Sequence, residues 1–312
     1  MKKFFLLTVA ILPLLCGCGE RMAQKRFFAF DTEIIIKLDA AHEQLADEVQ
    51  TMCREMESLF SRTKEGSDIW RINRGERFSP SEQTLELIEK GLCFCRLSSG
   101  AFDITVEPLS SLWDFPNASA PPDAEAISNA LKEVDYRRID LEKLDFGGAR
   151  LDMGAIAKGY AADEITRFFK QEGVTDAIIS LGGNVCVTGR EFRVGIVDPC
   201  DPNTIYAVIT LQDKSAVTSG IYQRCFEYGG KLYHHILDTK TGYSVENSLA
   251  SVTVISPSST TADALSTICM AVGEERARAI LHSVPDTDAM FIYRDGSFSV
   301  TDEFSEKYSM ER

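Results

Sequence analysis

The stretch Leu151-Asp152-Met153-Gly154-Ala155-Ile156-Ala157-Lys158-Gly159-Tyr160-Ala161-Ala162-Asp163 sets small residues and one lysine between two carboxylates. With Ile165 and Phe169 following, the segment is expected to open a helix. At such a start, free N–H groups and the positive end of the helix dipole face an anion. Gly154, Ala155, Ala157 and Gly159 leave room for a ligand to reach the backbone. Phosphate is the anion this edge suits. A Walker loop is excluded by spacing, since the Gly-Lys-Ser/Thr order is absent and Lys158 precedes its glycine. Small residues also let two helices pack closely, and for this helix taken alone that plainer reading is the stronger.

Downstream, residues 177–181 form a short apolar strand that runs into Gly182-Gly183-Asn184, a turn signal and also a place where backbone can approach a ligand. Residues 192–197 and 207–211 add antiparallel strands, which gives a mixed sheet. Thr218-Ser219-Gly220 follows a strand. Tyr233-His234-His235-Ile236-Leu237-Asp238 precedes a turn at Thr239-Lys240-Thr241-Gly242. Adjacent strand residues face opposite sides, so only one of the two histidines can point into a site. A strand at 251–256 leads into a helix from Ala262 through Met270. On it Asp263 and Thr267 share a face, where carboxylate and hydroxyl could hold one hard cation or merely serve the helix.

Upstream, residues 136–151 suggest two short strands joined near Leu144. Residues 113–122 read as a loop before a helix at 123–134. A helix at 81–97 ends at Ser98-Ser99-Gly100 and continues as Ala101-Phe102-Asp103-Ile104-Thr105. Ser67-Asp68-Ile69 opens a short helix that reaches Asn73. A strand at 27–38 and an amphipathic helix at 43–60 start the fold.

The chain has 312 residues, a formal net charge of −14 and a pI near 4.8. That balance excludes the basic footprint of a nucleic-acid binder and predicts repulsion from anionic lipid. An anionic cofactor then needs local cations or a divalent metal. Lys2-Lys3, the apolar run at 4–15 and Leu15-Cys16-Gly17-Cys18 resemble a bacterial lipoprotein signal. Residues 1–17 are the expected signal peptide, Cys18 the lipidated N-terminus, 18–26 a tether and 27–312 the functional domain. Acyl chains supply the anchor. The expected location is the bacterial cytoplasmic membrane, facing the periplasm or cell exterior. Seven cysteines remain, an odd number without CxxC spacing. This indicates neither a zinc knuckle nor a full disulfide framework, and leaves room for one or two bridges.

Taken together, these motifs resemble the ApbE family, the FAD:protein FMN transferases. The resemblance rests on Phe30-Asp31-Thr32 where the family usually has Met-Gly-Thr, on Ser67-Asp68-Ile69 with Asn73, and on Gly100 to Thr105. It continues through 152–163, Leu181-Gly182-Gly183-Asn184, Thr218-Ser219-Gly220, His235 to Asp238 and Ala262-Asp263-Ala264. It departs at Phe30-Asp31, near the expected flavin entrance, and at Thr239, where many members carry Pro. The implied fold is α+β, two-lobed and T-fold-related, with mixed sheets and an FAD cleft between the lobes.

The resemblance implies Mg²⁺ held by the Ala155 carbonyl, Asp263 and Thr267. It implies flavin or diphosphate contacts from Thr32, Asn73, Ala101, Phe102, Asp103, Thr105, Asp152, Lys158, Gly182, Gly183, Ser219 and His235. The implied reaction is transfer of FMN from FAD to a Thr or Ser hydroxyl of an exported or membrane-bound acceptor flavoprotein of the redox-pump subunit type, releasing AMP. His235 is the expected base, with Asp263 as the other catalytic residue; Asp238, three residues on, is a candidate to orient the imidazole. With water as acceptor the same site is a Mg²⁺-dependent FAD pyrophosphatase. Without chemistry it is an FAD-carrying lipoprotein.

Overall fold

The computed structural model describes residues 22–312; the signal at 1–17, Cys18 and the first tether residues lie outside the described residues. The chain opens with β1 (Met22–Ala29) and β2 (Thr32–Asp39), paired antiparallel from Ala29↔Thr32 to Met22↔Asp39. The single strand expected at 27–38 is therefore a hairpin. Phe30 and Asp31 take left-handed conformations, φ 52° and 56°, which a two-residue hairpin turn requires and non-glycine residues resist. The Phe30 N–H donates to Glu57 Oε1 at 2.6 Å and helps hold the turn. The tether expected to reach residue 26 ends earlier, because residues 22–26 gain pairing partners in β2.

Helices α1 (Leu45–Phe60), α2 (Asp68–Asn73) and α3 (Glu82–Leu97) follow, then α4 (Glu107–Trp113) and α5 (Ala124–Leu131). Ser67, Ser81 and Asp123 cap α2, α3 and α5 through their side-chain oxygens. The two strands expected at 136–151 are absent. Asp135 and Asp140 accept hydrogen bonds from the N–H groups of Arg137 and Lys143, and these local turns win over a ladder. Only the bridge Asp140↔Asp145 forms there.

Next come α6 (Ala157–Gln171), β3 (Ala177–Leu181), β4 (Asn184–Thr188), β5 (Phe192–Val197), β6 (Ile205–Leu211), β7 (Ser215–Gly220), β8 (Cys225–Tyr228), β9 (Lys231–His234) and β10 (Leu249–Ser256). The chain closes with α7 (Ser259–Val272), α8 (Glu274–His282), β11 (Asp288–Tyr293), β12 (Phe298–Val300), α9 (Phe304–Lys307) and β13 (Met310–Glu311). The main sheet runs β1-β2-β3-β4-β7-β10-β11-β12, with a second sheet β13-β6-β5 and a ribbon β8-β9. The α+β class is as expected, but the strand directions are not mixed: every pair is antiparallel. The helical excursion between β2 and β3 returns with β3 running against β2, so no parallel crossover arises.

Alternation divides the main sheet's two faces. Ile179, Leu181, Val252, Val254 and Phe291 join the large core shared with the helices. Ile178, Val187, Ile255 and Met290 meet Val194, Ile209 and Leu211 of the smaller sheet. Covered on both faces, β10 is buried at all eight positions. A third cluster gathers Leu109, Trp113, Phe115, Ile127 and Leu237. Trp113 Nε1 donates to the Gly242 carbonyl at 2.8 Å, which pins the turn after His235.

Candidate functional site

Helices α6 and α7 exchange carboxylates at their N-termini. Asp163, on α6, accepts from Ser259 N (2.7 Å), Thr260 N (3.0 Å), Ser258 Oγ (2.8 Å) and Thr260 Oγ1 (2.6 Å), and so caps α7. Asp263, on α7, accepts from Gly159 N at 2.8 Å and so caps α6. The close-packing reading of Gly159 holds: a Cβ there would fall 2.7 Å from Asp263 Cβ and nearer still to the Ser259 carbonyl.

The same capping bond has a second effect. Because Gly159 gives its N–H to Asp263, the Ala155 carbonyl four residues back accepts no hydrogen bond from the described residues. Asp263 is 4% exposed. Its Oδ2 meets Gly159 and lies 3.8 Å from Lys158 Nζ, while Oδ1 has no hydrogen-bond partner among the described residues. Lys158 also donates to the Gly154 carbonyl at 3.1 Å. Thr267 Oγ1 lies 3.3 Å from Ser219 Oγ, so β7 joins the group. The donor set is a carboxylate oxygen, a carbonyl and a hydroxyl. All are hard oxygens, and they fit Mg²⁺. No group of three or more His, Cys, Asp or Glu placed to hold a metal ion occurs among the described residues.

Only His234 lies within β9, so strand alternation does not decide how the two histidines point. His234 is 1% exposed, with Nε2 3.2 Å from the Val245 carbonyl. His235 is half-buried and follows β9 directly, and its N–H donates to the Arg224 carbonyl at 3.0 Å. Its Nδ1 is enclosed without a partner, as is that of His234; buried polar atoms of this kind call for a ligand or another partner. Burial first, then Arg224, His234 and Lys158, push its pKa down to about 3, so the ring is neutral. Asp238 does not orient it. Its Oδ1 accepts from Lys240 N at 2.8 Å, and its carbonyl accepts from Gly242 N, closing the turn.

The remaining expected site residues fall into two sets. Thr32 and Gly182 are neighbours across β2 and β3; at φ +66°, a Cβ on Gly182 would lie 2.8 Å from Thr32 Oγ1. Gly183 lies beside the Thr218 carbonyl, one residue before Ser219. These glycines leave bare backbone next to the β7 end of the group.

The second set holds loops together. Asn73 clamps Leu151 in both directions, at 2.9 and 2.6 Å. Asp152 takes Gly154 N at 2.9 Å and lies 3.3 Å from Arg62 Nε. Asp103 is 8% exposed and accepts from Thr105 N, Thr105 Oγ1 and Tyr136 N; burial raises its pKa against those bonds. Thr105 Oγ1 in turn accepts from Asp135 N at 2.8 Å. Phe102 is buried edge-on against Phe94, and Ala101 is half-buried in the same loop. Thr239 donates to the Gly100 carbonyl at 2.6 Å, a bond that a Pro at this position could not make.

Two residues join the site that the sequence reading does not single out. Ser266 stands three residues after Asp263 on its helical face, a spacing that would have found it. Arg224 carries no local signal. The cysteines among the described residues are all free, with Cys53, Cys95, Cys186 and Cys269 buried.

A protein-family model, that of the ApbE family, matches residues 30–291. The FAD:protein FMN transferase of Treponema pallidum (strain Nichols) is 32% identical over 323 residues, covering 90% of this chain and 89% of that protein. The FAD:protein FMN transferase of Klebsiella pneumoniae (strain 342) is 33% identical over 290 residues, covering 88% and 92%. Among solved structures, the ApbE protein of Thermotoga maritima superposes with a TM-score of 0.83 at 29% identity, covering 92% of this chain and 99% of that one.

Proposed function

The chain belongs to the ApbE family, and from that premise we propose that it transfers FMN from FAD to a Thr or Ser hydroxyl of an acceptor flavoprotein, releasing AMP in a Mg²⁺-dependent reaction. The observation that carries the reading is the half-used carboxylate of Asp263 beside Lys158, at the start of a helix whose Ala155 carbonyl accepts no hydrogen bond from the described residues. With Thr267, these residues would hold the Mg²⁺, which when bound neutralises the diphosphate and stabilises charge developing on it. Lys158 adds a fixed positive charge to the same edge, answering the problem that a net charge of −14 sets for an anionic substrate.

The acceptor hydroxyl attacks the phosphorus on the riboflavin side, and the P–O bond to AMP breaks. The hydroxyl proton passes to the neutral His235 ring, which has a buried nitrogen without a partner. A diphosphate brought against Lys158 and Arg224 offsets two of the charges that hold the ring's pKa down, so substrate binding makes the base stronger.

The test is incubation of the soluble domain with FAD and Mg²⁺, with and without a candidate acceptor, followed by analysis for AMP, FMN and a flavin adduct. AMP formed only with acceptor is the expected result. AMP without acceptor means hydrolysis to FMN, and no AMP means a flavin carrier. Export and a lipid anchor at Cys18 belong to the same proposal, with an acceptor outside the cytoplasm. Their motivation is the Leu15-Cys16-Gly17-Cys18 ending of the apolar run. Fatty-acid label retained on a Cys18→Ala precursor would overturn the anchor.

A further inference from the structure

Three hydroxyls link β7 to α7 beside Asp263. Ser266 Oγ lies 2.9 Å from the Asp263 carbonyl. Ser219 Oγ lies 2.8 Å from Ser266 Oγ, and Thr267 Oγ1 lies 3.3 Å from Ser219 Oγ. Ser266 is wholly buried. Each hydroxyl has one proton to give, and a carbonyl oxygen can only accept. Ser266 therefore donates to the Asp263 carbonyl. Its oxygen must accept from Ser219, and with that proton committed, Ser219 can only accept from Thr267. The row of contacts has one consistent direction, from Thr267 through Ser219 and Ser266 to the backbone of Asp263. Thr267 thus aims its O–H at β7 and turns its lone pairs away from it.

This orientation matters for a cation ligand, because a freely turning hydroxyl presents its proton to the cation for part of the time. Resting on the reading of a cation at Asp263 and Thr267, we propose that Ser266 and Ser219 are positioning residues that lock the Thr267 hydroxyl with its lone pairs toward the cation. A serine inside a helix often bonds back to its own backbone, and that alone would explain Ser266 to Asp263. It does not explain why a second serine, on another element, closes onto Ser266 at 2.8 Å with Thr267 at its far side. The inference also reassigns Ser219: its proton is used within the fold, so it serves the site through Thr267 and not as a donor to phosphate.

The test is Mn²⁺ binding to the soluble domain, read from the free-ion signal in electron paramagnetic resonance, for wild type, Asp263→Ala, Thr267→Ala, Ser266→Ala and the Thr267→Ala/Ser266→Ala double variant. Removing a residue that orients a ligand weakens metal affinity roughly tenfold. Ser266→Ala is expected to weaken Mn²⁺ by about that factor in the wild-type background. It should do nothing more in the Thr267→Ala background, where no hydroxyl remains to orient. Equal losses in both backgrounds would make Ser266 a packing residue and overturn the proposal. So would wild-type affinity in Ser266→Ala alongside lost binding in Asp263→Ala. Wild-type affinity in Asp263→Ala would overturn the metal site itself, a separate failure.

Discussion

Asp163 and Asp263 do the same architectural task on opposite partners, and they differ in what they leave over. Asp163 accepts four hydrogen bonds from the start of α7. Asp263 accepts one from the start of α6 and keeps Oδ1 without a hydrogen-bond partner among the described residues. A saturated carboxylate can only hold the fold, because any new ligand would have to displace bonds already made. A half-used one can hold the fold and take a cation. The comparison gives a physical criterion for separating structural from functional acids within one helix pair, and substitutions can break it.

The largest effect is expected at Asp263. Asp263→Ala should abolish Mg²⁺-dependent AMP release while the protein stays folded, since it removes the charged ligand. If Asp263 served the α6 dipole alone, the change would cost about 0.3–1 kcal/mol of stability and leave turnover intact. AMP release measured against Mg²⁺ concentration decides between these.

His235→Gly comes next, with a fall in AMP release of roughly 10²–10⁴-fold, the ordinary worth of a general base. Wild-type turnover in that variant would send the search for a base elsewhere. The pH response follows from the sign of the shift. The ordinary imidazole value is about 6.5, and the folded pKa is pushed down to about 3. Below pH 6.5 the unfolded chain therefore takes up a proton that the fold refuses. Stability should fall with pH over that window at about 1.4 kcal/mol per unit for this ring, and chemical denaturation of His235→Gly should show a shallower slope. An acid limb of turnover at the ordinary imidazole value is therefore not expected for the free enzyme. His234→Gly should cost stability and little chemistry, since that ring is buried against Val245.

Asp163→Asn sharpens the contrast from the other side. The loss of charge and the mismatch with two backbone donors should lower stability by about 1–3 kcal/mol. The Mg²⁺ dependence measured well below the melting temperature should not move. A displaced Mg²⁺ midpoint would mean that the two aspartates are not separable in this way.

Thr267→Ala should have the smallest effect, about tenfold or less on the Mg²⁺ midpoint, because water can replace a neutral hydroxyl. An effect equal to that of Asp263→Ala would contradict the ranking of charged over neutral ligands.

Local chemistry was legible in the sequence, and reciprocity was not. Ser67, Ser81 and Asp123 announced their helices by cap residue and apolar spacing, and all three cap as such residues do. Asp263 and Thr267 could be placed on one face because helical spacing is fixed. That Asp163 and Asp263 serve each other's helices depends on the packing of segments about a hundred residues apart, which no local pattern encodes. The same limit explains Asp103 and Asp238. A carboxylate in a motif looks identical whether its oxygens face a ligand or its own turn, and here both face turns. Residues 136–151 had strand-like apolar spacing, yet Asp135 and Asp140 offered the backbone nearer partners.

The order of the main sheet also has a temporal consequence. The β1–β2 hairpin lies at the start of the described chain, yet its only neighbour in the sheet is β3, where Ile36 faces Ile179. During synthesis the edge of β2 must wait for its partner until α1 through α6 have been made, although α1, next in the chain, packs against the hairpin. Sequence-distant pairing of this kind slows folding and lengthens the exposure of an open strand edge. The edge of β2 that β3 covers thus stays open until the middle of the protein has been made.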